Sequence, residues 1–177
     1  MKRRLFAALS LSFALGSCSE QGPAVFIAMD RDFAGFLQWR RVELGTVMLV
    51  GHPPGTRVAF INTAQRPSGS AYPVGTIIVK AITQNSADTN QWAVIAMAKR
   101  GGDFNREGAR DWEFFTLRMQ GESVSIVERG LAPRTDGDGD PYGVTAGITC
   151  NTCHGSADAR MVDSILTPEL RPADAGL

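Results

Sequence analysis

Apolar and polar residues are arranged along this chain in three different ways. Leu5 to Leu15 is an almost unbroken apolar run behind Lys2, Arg3 and Arg4. Between residues 57 and 128 the pattern changes to short runs rich in β-branched and aromatic residues. These are Arg57–Asn62, Gly75–Thr83, Trp92–Arg100, Asp111–Met119 and Ser123–Glu128. Gly, Asn and Asp turn residues separate them, and Tyr72-Pro73-Val74-Gly75 is turn chemistry ahead of the second run. That spacing predicts strands in an antiparallel meander. The alanines of Trp92–Arg100 suit a helix as well. Helical spacing occurs at the two ends of this region. Asp32 is placed to cap a short helix through Trp39, with Phe33, Phe36, Leu37 and Val42 on its apolar side. After Cys153, residues Met161, Val162, Ile165 and Leu166 fit a second helix, stopped by Pro168. Residues 129–149 form a loop rich in Gly, Asp and Pro. The expected fold class is α+β, an antiparallel β-sheet with flanking helices. It forms one domain over residues 32–168, after a tether at 18–31 and before a flexible tail at 169–177.

The apolar run at the start is too short to span a bilayer as a stable helix. With its basic residues ahead of it, it reads as a secretory signal peptide over residues 1–17. Its end, Leu15-Gly16-Ser17-Cys18, resembles a bacterial lipobox. There the Cys18 thiol is acylated, and lipid chains hold the protein to a membrane. An ordinary signal peptide with a free cysteine beside its cleavage site is the other reading, and it leaves the protein in the soluble periplasm. Ser19 rather than Asp follows Cys18, which by resemblance to the usual sorting rule favours the outer membrane.

Composition adds constraints. The chain has 177 residues, of which 44% are hydrophobic and 20% charged. It can bury a core, which argues against wholesale disorder. Lys plus Arg equals Asp plus Glu at 18 each, so no basic surplus supports nucleic-acid binding. Loss of residues 1–17 removes three cations and leaves a mildly acidic chain. The three cysteines are an odd number, so disulfides alone do not account for them.

Two of the cysteines fall in Cys150-Asn151-Thr152-Cys153-His154. C-x-x-C-H is the attachment signature of c-type haem. Two thiols three residues apart reach the two vinyl groups of one haem, and the next histidine is carried under the iron. Three other uses compete. A thioredoxin-like redox pair needs a βαβ setting, which the strand pattern does not offer. A zinc site needs four ligands, and beyond these three only the distant His52 is at hand. A Cys150–Cys153 disulfide is strained at this spacing. Export favours haem, because c-type haem is attached outside the cytoplasm. One covalent haem c then uses two cysteines and a lipid anchor uses the third.

Several stretches together resemble the cytochrome P-460 and cytochrome c′-beta family. They are Gly51-His52-Pro53-Pro54-Gly55-Thr56 with the following RVAFIN, Tyr72 to Lys80 (YPVGTIIVK), Met97-Ala98-Lys99-Arg100, Asp111-Trp112-Glu113-Phe114-Phe115, and the C-terminal CNTCH. Their order and spacing match from about residue 34 to residue 166. The haem motif alone is not specific to this family; the P-x-G-T-x-x-V-K strand ahead of it is more so. The resemblance implies a single haem domain built on an antiparallel sheet with flanking helices, usually a homodimer. It implies one axial histidine, His154, and an open or weakly occupied sixth position. One branch of the family oxidises hydroxylamine and related species and carries a lysine cross-linked to the haem. The other branch lacks that bond and binds nitric oxide beneath an apolar cap.

Lys80 matches the family lysine. Strand alternation puts it on one face with Thr76, Ile78 and Ile82. An amine on such a face needs a partner, such as a haem edge or propionate, unless its stem packs while its head reaches solvent. Lys99 is the only other lysine after residue 17 and the alternative cross-linking residue. Hydroxylamine oxidation also needs a carboxylate to accept protons; Asp140, Asp138 and Glu113 are the candidates. Asp136 to Asp140 has part of a calcium-loop pattern but lacks its glycine and closing glutamate, and reads as a solvated turn. His52 is open to use as a sixth ligand or distal hydrogen-bond donor, but it belongs to an altered turn and reads as structural. Met29, Met48, Met97, Met119 and Met161 are core residues by default. Phe60, Phe114 and Phe115 are core or haem-wall residues, and Trp92 and Trp112 anchor the sheet. The expected function is binding or oxidation of small nitrogen species at a His-ligated haem, with a periplasmic electron-transfer protein as partner. Non-enzymatic nitric oxide binding and six-coordinate electron transfer are the alternatives.

Overall fold

The computed structural model describes residues 24–46, 55–83, 86–133 and 149–174. Six strands form one antiparallel sheet in sequence order. They are β1 (Arg40–Gly45), β2 (Arg57–Ile61), β3 (Ile77–Ile82), β4 (Ala93–Lys99), β5 (Trp112–Gln120) and β6 (Ser123–Gly130). Short helices flank it: α1 (Asp30–Phe33), α2 (Cys150–His154) and α3 (Ala157–Met161). This is an α+β fold. The five expected strands are present, and Trp92–Arg100 resolves as a strand.

The sheet is buried on both faces, which explains why its central strands read as nearly continuous apolar runs. Val58, Phe60, Ile77, Val79, Val94, Ala96, Phe115 and Leu117 point to one side, where Phe33 and Phe36 cover them. Phe33 meets Phe115 edge-on at 5.2 Å, and Phe36 meets Phe60 at 5.3 Å. Ala59, Ile61, Ile78, Met97, Trp112 and Phe114 point to the other side, against Tyr72, Ile165, Leu170 and the edge of Cys150. The N-terminal segment therefore packs one face and the C-terminal segment the other.

The boundaries differ from expectation at both ends of the domain. The helix expected over Asp32–Trp39 is split into α1 and a 3-10 turn at Phe36–Gln38. Gly35 lies between them at φ 69°, a left-handed conformation that ends helical propagation. Asp32 does not sit at the cap but three residues inside, accepting the Met29 N–H at 2.8 Å. Val42 belongs to β1, which was not expected. Residues 25–29, expected in the tether, are part of the domain: Val25 bridges Gly101, the Phe26 N–H donates to the Arg100 carbonyl, and Ala28 is buried. The segment after residue 168 is also docked. Leu170 is buried, its carbonyl accepts the Tyr72 hydroxyl at 2.7 Å, and the Ala173 N–H donates to the Pro67 carbonyl. Pro168 opens a 3-10 turn instead of closing a helix. Among the described residues no helix is long and apolar enough to cross a membrane.

Candidate functional site

The C-x-x-C-H residues are α2 itself. Thr149 caps the helix: its hydroxyl accepts the Thr152 N–H at 3.2 Å, and the Thr152 hydroxyl accepts the Thr149 N–H at 2.7 Å. This reciprocal pair satisfies two donors that a helix start leaves open. Asn151 ties the helix to the loop between β4 and β5. Its side-chain oxygen accepts the Ala109 N–H at 2.9 Å and the Asn105 amide at 2.6 Å. Gly155 follows the helix against the backbone of Gly108 and Ala109; a Cβ there would lie 2.6 Å from the Gly108 carbonyl carbon. The two residues between the cysteines thus fix the turn that carries the thiols.

His154 closes α2 and packs against Phe114, ring to ring at 5.3 Å. Its Nδ1 lies 2.7 Å from the Ser164 carbonyl oxygen. A carbonyl only accepts, so Nδ1 carries the proton and Nε2 keeps its lone pair. Burial pushes the pKa down to about 4, with the Ser164 carbonyl opposing and Lys80 adding to the fall. At neutral pH the ring is a neutral imidazole.

Cys150 and Cys153 are both free and partly buried. Burial pushes the Cys150 thiol up to about 11. A dithiol redox pair needs a lowered pKa at its reactive cysteine, so this environment opposes that use. The sequential antiparallel sheet also lacks a βαβ setting. Among the described residues no group of three or more His, Cys, Asp and Glu side chains could hold a metal ion.

Lys80 stands on the same face of the sheet as Ile78, with Ala59 and Ile95 opposite it on the flanking strands. Phe114, which His154 packs against, lies on that same face, and Lys80 acts electrostatically on both Cys150 and His154. Burial, with Arg57 adding to it, lowers the Lys80 pKa to about 8; among the described residues Cys150 alone opposes the fall. Among the described residues no carboxylate acts on this amine, which the fold holds in an apolar site. Lys80→Met is expected to stabilise the haem-free chain by ~1–3 kcal/mol at pH 7. The folded pKa lies below the unfolded one, so folding expels a proton between pH 8 and 10.5 and wild-type stability rises there. The advantage of the variant should shrink across that window in urea titrations. A constant or negative difference would contradict it.

The other candidates separate clearly. Lys99 shares Lys80's face of the sheet but is buried in an ion pair with Asp163, and its Nζ lies 4.9 Å from the Trp112 ring. Glu113 is on the opposite face of the sheet from His154. It accepts Arg129 Nε and Nη2 at 2.8 Å each and Arg100 Nη1 at 3.2 Å, and is a structural anchor. Phe60 and Phe115 also lie on that opposite face, while Phe114 walls His154. Met97 shares the His154 side through its cross-strand neighbour Phe114. Met119 is in the opposite core, and Met29 and Met161 are exposed. Trp92 and Trp112 donate to the Ser86 and Asp163 carbonyls at 2.8 Å. Cys18, Met48, His52, Asp136, Asp138 and Asp140 lie outside the described residues, as does the signal segment.

Sequence reasoning missed Asn151, Asp163 and Ser164. Their roles run through contacts between residues far apart in sequence, which leave no local pattern. Comparison with family models, with curated proteins and with solved structures finds no match to this chain.

Proposed function

We propose that this chain is an exported c-type haem protein of the cytochrome P-460 and cytochrome c′-beta kind, binding or oxidising small nitrogen species such as hydroxylamine and nitric oxide. Cys150 and Cys153 would hold one haem c through thioethers, and His154 would supply Nε2 to the iron. The observation that carries the reading is the hydrogen bond from His154 Nδ1 to the Ser164 carbonyl. It leaves the Nε2 lone pair free to bind a metal and orients the ring, as metal-ligating histidines require. The free thiols on the same helical turn and the amine of Lys80 beside them support it further. A haem propionate or macrocycle edge would give that amine a partner that none of the described carboxylates provides.

Haem in this position supplies a redox-active iron with an accessible coordination site. The chain holds the imidazole neutral, keeps its proton on Nδ1, and walls it with Phe114. Lys80 would border the group, and Asp140 is the proposed proton acceptor for oxidation. By the same reading, Cys18 carries lipid and holds the protein at the periplasmic face of a bacterial membrane, the outer one favoured. The protein works there as a homodimer with a periplasmic electron-transfer partner.

Intact mass under denaturing conditions and the ferrous spectrum with and without nitric oxide test the reading together. One haem added to the chain mass and a nitric oxide-sensitive spectrum are expected. A bare chain mass removes covalent haem. A red-shifted ferrous Soret band with haem also on the Lys80 peptide marks the oxidising branch; an ordinary c-type spectrum that responds to nitric oxide marks the gas-binding branch. Low-spin iron indifferent to nitric oxide returns the protein to electron transfer.

A further inference from the structure

The carbonyl that orients His154 belongs to an unusual turn. Asp163 and Ser164 are consecutive non-glycine residues at φ 53° and 62°. Left-handed conformations are costly for such residues and persist only where the surroundings over-determine them. Here the surroundings do. The Asp163 carboxylate pairs with Lys99 Nζ and accepts the Tyr72 N–H at 2.7 Å. The Asp163 carbonyl accepts Trp112 Nε1 at 2.8 Å, and the Ser164 N–H donates to the Ala159 carbonyl at 2.6 Å. Lys99 ends β4, Trp112 begins β5, and Tyr72 lies in the loop ahead of β3. Three parts of the sheet region therefore converge on one carboxylate residue, and the next carbonyl meets the histidine. Both side chains of the Lys99–Asp163 pair are more than nine-tenths buried.

We infer that Asp163, clamped by Lys99, is a positioning residue for His154. It holds the Ser164 carbonyl on Nδ1, fixes the tautomer that frees Nε2, and sets how strongly the imidazole donates. The inference rests on the reading of His154 as an axial ligand for that last effect alone. The tautomer and its hydrogen bond belong to the chain itself. A pair that served only stability could sit anywhere in the core; this one terminates on the residue adjoining the carbonyl that His154 uses.

The chain contains two histidines, so 15N-histidine spectra of the full chain as purified are simple to assign. Wild type should show a His154 Nδ1 proton that exchanges slowly with solvent. Asp163→Asn and Lys99→Met should each speed that exchange at least tenfold and populate the Nε2–H tautomer. Lys99→Arg should restore the wild-type behaviour. In the haem-loaded chain the ferrous iron–histidine stretch should fall in the first two variants and recover in Lys99→Arg. If Asp163→Asn does not fold, Lys99→Met and Lys99→Arg carry the comparison. Folded variants with unchanged Nδ1 exchange and unchanged tautomer overturn the inference. Absence of haem would end the proposed function but leave the exchange measurement intact, so the two failures are distinguishable.

Discussion

Glu113→Ala is expected to cost about 2–4 kcal/mol of folding stability. Glu113 is 4% exposed on β5 and receives both Arg129 and Arg100. Arg129 meets it through two parallel N–H···O bonds, the fork geometry that makes guanidinium–carboxylate pairs strong. The same arginine reaches the Ala28 carbonyl at 3.0 Å and lies over the Phe115 ring. Removing the carboxylate leaves two cations beside a packed apolar face with no counter-charge. It also releases the tie between β5, β6 and the N-terminal segment. Both arginines retain some solvent access, which places the cost below that of a fully buried pair. Glu113→Gln keeps part of the hydrogen bonding and should lose about half as much. Urea denaturation of the three chains measures this, and a loss below about 1 kcal/mol for the alanine variant would contradict it. The folded fraction should keep the wild-type environment of His154, because Glu113 lies across the sheet from it.

The contrast between Glu113 and Lys80 shows which parts of the molecule a sequence exposes. Both are charged residues within apolar strands, and period-two alternation alone assigns each to a face. For Lys80 that was enough, because Thr76, Ile78 and Ile82 define its side. For Glu113 it was not, since β5 is buried on both sides and its neighbours Trp112, Phe114 and Phe115 do not mark a polar face. The strands from β2 onward were legible because β-branched runs and Gly-Asp-Asn turns agree. β1 was not: Arg40–Gly45 alternates charged and apolar residues at a half-exposed edge, and its one buried-side valine also fitted a helical stripe. The C-terminal helix failed for another reason. Met161 and Leu166 satisfied a helical period, yet both are exposed, and the turn at Asp163 and Ser164 interrupts the period. Burial of Lys99 and the hydrogen bonds to Asp163 support that turn, and they join residues 51 to 91 positions apart. In the site, Cys150, Cys153 and His154 were legible because thiol and imidazole spacing is local. The carbonyl of Ser164 was not, since every residue has one.

On the proposed reading, His154→Gly separates attachment of haem from ligation of its iron. The thioethers do not involve the imidazole, so the haem-loaded fraction should keep the added mass. The axial nitrogen is lost, and the ferrous spectrum should change accordingly. The deletion also leaves the Ser164 carbonyl, on a residue 2% exposed, without its donor. A buried acceptor left unpaired costs ~1–3 kcal/mol. Added imidazole can occupy the vacated space, place one nitrogen on the iron and donate its N–H to Ser164. It should therefore restore the wild-type ferrous spectrum. 1-Methylimidazole has a comparable ligating nitrogen and no N–H to give. The missing hydrogen bond should weaken its rescue by about tenfold, the equivalent of ~1.4 kcal/mol. Equal rescue by the two ligands would show that the Ser164 carbonyl does not govern the histidine, and with it would fall the assignment of Nδ1 as the protonated nitrogen in the working protein.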